Sequence, residues 1–117
     1  MNSNEGLKPS ARFKPITKTD LFSGKGSIKI WDLKAQREAG PFKASLWCEL
    51  EAGGQIGRHH QEHCDEIVLC LSGFGTATIG HECFGLEPGV QVFLKQGQLL
   101  SIKAGTQQSL IYLIIKA

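Results

Sequence analysis

Apolar and polar positions alternate along this chain in short bursts, each closed by a glycine, a proline or a polar pair. Nine such stretches succeed one another: "SIKIWDL", "FKASLWCEL", "GQIGRHH", "EIVLCLSG", "GTATIG", "ECFGL", "QVFL", "LLSIKA" and "SLIYLIIKA". Alternation at a period of two sends successive side chains to opposite faces of an extended backbone, and the β-branched and aromatic residues here pack well on a pleated surface. Each stretch therefore predicts a strand. Past Gly40 no segment keeps a helical period for three turns; only "LKAQREAG" looks faintly helical, and Gly40 would end it. The 14 glycines fall largely between the stretches, at "EAGGQ", "LSGFG", "EPGV" and "KAGT" among others. Many short strands with turn signals every ~8–12 residues must pair with neighbours and close off their edges, which predicts an all-β sandwich or barrel. Residues 1–14 are polar and aperiodic and read as an N-terminal tail or arm, leaving 15–117 as the barrel domain.

Composition narrows the class of function. The 117 residues suffice for one hydrophobic core, and with 41% apolar and 21% charged residues the chain is expected to fold. Its formal charge of +2 is spread along the sequence with no basic run, so the footprint of a nucleic-acid or membrane-surface binder is missing and a small-molecule partner is expected. The four cysteines form no C-x-x-C pair, the first residues hold no apolar leader, and no apolar run approaches the ~20 residues of a spanning helix; a soluble, cytoplasmic protein is the expectation.

The chemistry concentrates in "RHHQEHCDE", Arg58 to Glu66, where three histidines and three carboxylates share nine residues. Were this all one strand, His59, Gln61 and His63 would share one face while His60, Glu62 and Cys64 shared the other. Imidazole and carboxylate groups are ligands for transition metals, and a barrel interior would shelter such a site; the alternative is a hydrated rim. Asp65 and Glu66, adjacent on a strand, should point to opposite faces and share no site. Arg58 beside the histidines is a candidate for holding an anionic group of a ligand. Cys48, Cys64 and Cys70 read as buried apolar filler.

The segment "GGQIGRHHQEHCDEIVLCLSG" resembles the first motif of the cupin superfamily: Gly53, five residues, His59, then Glu66, then six residues to Gly73. The next segment, "GFGTATIGHECFGLEPGVQVFL", is similar to that family's hairpin and Leu-x-Pro-Gly turn, and the likeness runs from about Phe42 to Ile115. The resemblance implies a single-domain cupin-type double-stranded β-helix, or jelly-roll barrel. In the register that starts from Gly53, His59 takes the first histidine slot, Gln61 the second and Glu66 the carboxylate slot; starting from Gly54, His60 and Glu62 take the first two. In the second motif Leu100 stands where the family has a histidine. With the first register, His59, His63 and Glu66 are the expected metal ligands, for a divalent zinc, iron, manganese or nickel ion. Glu66 is also the candidate catalytic group, and Arg58, Gln61 and Leu100 are the candidate ligand contacts. The likeness implies two functions: a metal-dependent enzyme of the dioxygenase, isomerase or lyase kind, or a metal-free barrel that binds a small molecule. Small cupins also suggest a homodimer, with "SIKIWDL" as the candidate interface strand.

Overall fold

A computed structural model describes residues 6–34 and 40–117. Among the described residues there are ten strands: β1 (Ile16–Thr19), β2 (Ser27–Asp32), β3 (Ala44–Leu50), β4 (Gln55–His60), β5 (Glu66–Ser72), β6 (Gly75–Ile79), β7 (Glu82–Leu86), β8 (Gln91–Leu94), β9 (Leu99–Ala104) and β10 (Leu110–Lys116). Nine coincide with the predicted stretches; β1 is the addition. The faintly helical "LKAQREAG" lies mostly in 35–39, outside the described residues, as do residues 1–5 of the expected tail. Among the described residues no helix is long and apolar enough to cross a membrane.

The strands form two antiparallel sheets, one of six in the order β1-β2-β3-β10-β5-β8 and one of four in the order β4-β9-β6-β7. The non-sequential neighbours are the mark of a jelly roll: β10, the last strand, lies between β3 and β5. Register aligns side chains of one parity on the inner face. Cys48 faces Tyr112, which faces Cys70; Leu46 faces Ile114, which faces Val68. Ile56, Ala77, Leu100, Ile102 and Ala104 meet them from the smaller sheet, so the core is the space between the sheets. Burial of that apolar surface is the main stabilising term.

Outward positions of the larger sheet are also partly apolar. Trp31 stands opposite Trp47 on that side, yet it is only 6% exposed. Lys8 extends over the Trp31 ring at 5.7 Å and pairs with Glu49 at 2.6 Å, so the chain ahead of β1 covers this part of the sheet. β2, the candidate interface strand, is hydrogen-bonded to β1 on one side and β3 on the other and presents no free edge.

Candidate functional site

The site is set by an irregularity in β4. Ile56 pairs with Ile102 and His59 with Leu100, so β4 holds one residue more than β9 between these pairs. Such a bulge shifts the phase of the strand. Strict alternation from the buried Ile56 would send Arg58 and His60 inward; the extra residue turns His59 to the side of Ile56, Leu100 and Ile102 instead. Gly57 sits at the bulge because nothing larger fits: a Cβ there would collide with the carbonyl oxygen of Phe22. The Gly57 carbonyl accepts the Nδ1–H of His59 at 2.8 Å, which fixes the imidazole.

Beyond His60 the strand ends, and the chain crosses to β5 along a tethered loop. Gln61 N–H donates to Gln98 O at 3.0 Å, the Gln96 side-chain amide to Glu62 O at 2.7 Å, and Asp65 N–H to Ala117 O at 2.9 Å. At the start of β5 the alternation is regular, so Asp65 points outward and accepts the Gln96 backbone N–H at 2.9 Å while Glu66 points into the barrel. Gln61 uses both ends of its amide: Nε2 donates to Glu66 Oε1, and Oε1 accepts from Cys64 Sγ at 3.3 Å. Lys116, opposite Glu66 in the β5–β10 ladder, brings its Nζ to 3.8 Å from the same Oε1.

Burial pushes the Glu66 carboxyl above the usual glutamate range, while the Lys116 ammonium and the Gln61 amide pull it part of the way back. Deeper in, Cys48 and Tyr112 are hydrogen-bonded to each other. Burial, reinforced by the nearby Glu66 charge, pushes the Cys48 thiol up to about 12, and Tyr112 is likewise raised by burial. Neither ionises near neutrality.

These groups open onto a cavity of about 480 Å³ between the sheets. Ile28, Ile30, Leu46, Ile56, Ile102 and Ile114 supply apolar wall; His59, His60, Gln61, Glu66 and Lys116 supply polar groups; Leu21 and Phe22 close over from the turn after β1. Phe22 lies on the His59 ring with centroids 3.9 Å apart and planes within 10°.

Of the residues expected from sequence, His59, Gln61, Glu66 and Leu100 line this cavity together. His63 also lines it, from the mouth, and Arg58 does not. Arg58 is exposed and is no part of the lining, because the bulge rotates it outward. His63 reaches only the rim: its side chain is 88% exposed and lies 3.8 Å from the solvated Glu62. The expected metal ligands His59, His63 and Glu66 thus lie at different depths of one cavity, with Glu66 buried and His63 at the mouth. A single strand through residue 63 would have put His59 and His63 on one face, but β4 stops at His60. Among the described residues no three His, Cys, Asp or Glu side chains are grouped to hold a metal ion. The donor set does not fit one: the would-be carboxylate ligand already faces an ammonium and an amide, and the side chain opposite His59 is a leucine.

Lys116, Cys48, Tyr112 and Phe22 complete the site without having been expected in it. Lys116 carried a readable signal, since "YLIIK" places it on the same face as Tyr112. Phe22 carried none, because its position depends on a turn with left-handed residues.

No family model and no curated protein matches the chain. Solved structures do resemble it. A predicted oxalate decarboxylase from Thermotoga maritima superposes with a TM-score of 0.83 at 21% identity, covering 94% of this chain and 96% of that one. A cupin-2 domain protein from Rhodospirillum rubrum gives 0.79 at 18%, over 100% of this chain and 76% of that one. A cupin 2 conserved barrel domain protein from Salinispora arenicola gives 0.72 at 16%, over 94% and 86%. At such identities the likeness speaks to fold.

Proposed function

For a chain with the cupin fold, we propose a barrel that binds a small molecule with an apolar body and a polar end, without a resident metal. The observation that carries this reading is the cavity itself. Its ~480 Å³ lies in the range of small-molecule sites, and hydrocarbon surrounds a few fixed polar groups, as such sites require. Gln61, held at both ends, and Glu66, held by Gln61 and Lys116, orient the polar end; the isoleucine-rich wall takes the body.

A second reading, that the ligand is also a substrate, is favoured by one feature. Glu66 is 3% exposed and burial raises its carboxyl above the usual glutamate range, the direction that suits a group that gives and takes a proton. Glu66 would then be the acid–base group, and Lys116 the cation that stabilises its ionised form.

The test is thermal unfolding with cyclohexanol and phenol as probes, since binding to the native state raises the midpoint. Both raise it for the wild-type chain, and Ile102→Trp, which fills the cavity, removes the effect. Equal shifts in wild type and Ile102→Trp would refute the cavity as the binding site.

Association of two copies is proposed through the outer face of the six-stranded sheet, where Phe93 is 62% exposed beside Ile67 in the β5–β8 ladder. Light scattering of the wild-type chain and Phe93→Glu tests it: a dimer that the substitution dissociates is expected, and a wild-type monomer at tens of micromolar refutes it.

A further inference from the structure

We propose that the cavity mouth recognises a flat aromatic ring, which replaces the ring of Phe22 on the face of His59. The inference rests on the small-molecule reading above and narrows the ligand class. Four observations carry it.

Phe22 and His59 are parallel at stacking distance, so a slot of the right depth for one planar ring already exists and is filled by the chain's own phenyl group. That phenyl group is poorly held. Phe22 is 51% exposed, so the ring buries little besides the face it lays on the imidazole.

The backbone beneath it is strained. Asp20 (φ 53°), Phe22 (φ 53°) and Ser23 (φ 61°) all lie in the left-handed region without being glycine, three such residues within four positions. Strain of this kind persists where surrounding contacts enforce it, and it collects at ligand-binding segments. Here the enforcing contacts are with β4. Lys25 and Gln55 exchange backbone hydrogen bonds at 2.7 Å, and Gly24 lies so close to the strand that a Cβ on it would collide with Gln55 O. These anchors are made by backbone atoms alone, so the Phe22 ring can swing off His59 by side-chain rotation while the turn stays attached.

The platform, in contrast, is rigid. His59 is half-buried and donates Nδ1–H to Gly57 O, so the imidazole stays when the phenyl leaves. In the neutral ring Nε2 remains as an acceptor for a polar substituent on the ligand. Aliphatic bodies fit the isoleucine wall equally well, but only a planar π face reproduces the contact that Phe22 gives up.

Phenol and cyclohexanol separate the two cases, because they match in size and hydroxyl group and differ in the π face. Their affinities are measured by calorimetry on the full chain, for wild type, Phe22→Ala, Phe22→Gly and His59→Leu. Phe22→Gly suits the left-handed backbone and guards against misfolding of the alanine variant. Removing the competing ring should tighten phenol about fivefold, the scale of one aromatic pair, and leave cyclohexanol within about twofold. His59→Leu should abolish the preference for phenol. Equal gains for both probes, or no gain for phenol, would overturn the inference while leaving the cavity reading intact. Weaker phenol binding in both Phe22 variants would overturn displacement. Failure of both probes to bind any variant would overturn the inference together with the reading on which it rests.

Discussion

His59 stands opposite Leu100 in the β4–β9 ladder, on the cavity side, because one extra residue in β4 reverses the phase of the strand after Ile56. The imidazole, its stacked phenyl group and the outward turn of Arg58 all result from this shift. Gly57 makes it possible. Gly57→Ala drives a methyl group into the Phe22 carbonyl and should cost at least about 2 kcal/mol, read as a lower urea midpoint at unchanged slope.

Leu100, 2% exposed, forms the cavity wall beside His59. Leu100→Ala is expected to destabilise the fold by about 2–5 kcal/mol, the range for a leucine truncated in a packed interior, and to admit larger probes than the wild type. Urea unfolding checks the first part and a size series of alcohols the second.

Glu66 should make stability depend on pH in a definite direction. Its folded carboxyl is raised from 4.5, so the native state holds the proton more tightly than the unfolded chain does. The contribution of this group is therefore full below the unfolded value and is lost as pH rises through the folded one. Measured by urea unfolding from pH 4 upward, the stability of the wild type relative to Glu66→Gln should fall and then level off. A rise over that window would contradict the burial of the carboxyl.

The cysteines should differ in reactivity. Cys83 is exposed, Cys48, Cys64 and Cys70 are buried, and burial holds the Cys48 thiol near 12. Thiolates are the reacting form, so iodoacetamide at pH 8 should modify Cys83 first. Mass spectrometry of the native chain should find one fast site, absent from Cys83→Ser.

The strands were legible because alternation and glycine placement are local properties: nine of the ten lie where "SIKIWDL" through "SLIYLIIKA" place them. β1 escaped because "ITKT" is exposed throughout and lacks an apolar face. Part of the site was legible too, since Glu66 begins a regular strand and its inward direction agrees in parity with Val68 and Cys70. The directions of His63 and Arg58 were not legible for one reason. Period-two counting across residues 55–64 assumes an unbroken strand, whereas β4 carries a bulge and ends at His60. Phe22 was hidden because its contact with His59 joins a strained turn to a strand more than thirty residues away.

The donor geometry also predicts the behaviour toward metal. Glu66 is engaged by Gln61 and Lys116 and His63 is solvated, so treatment with EDTA should leave the melting temperature unchanged within about 1 °C. A site with bound metal would stabilise the native state and lose that contribution to the chelator.

The most direct measurement is a methyl NMR titration of the chain with phenol. Binding between the sheets predicts saturable shifts at Ile56, Leu100, Ile102 and Ile114, with the exposed methyl groups of Ile16 unmoved. Shifts confined to Ile16 and the outer face, with the interior methyls silent, would mean that the barrel holds no small-molecule site.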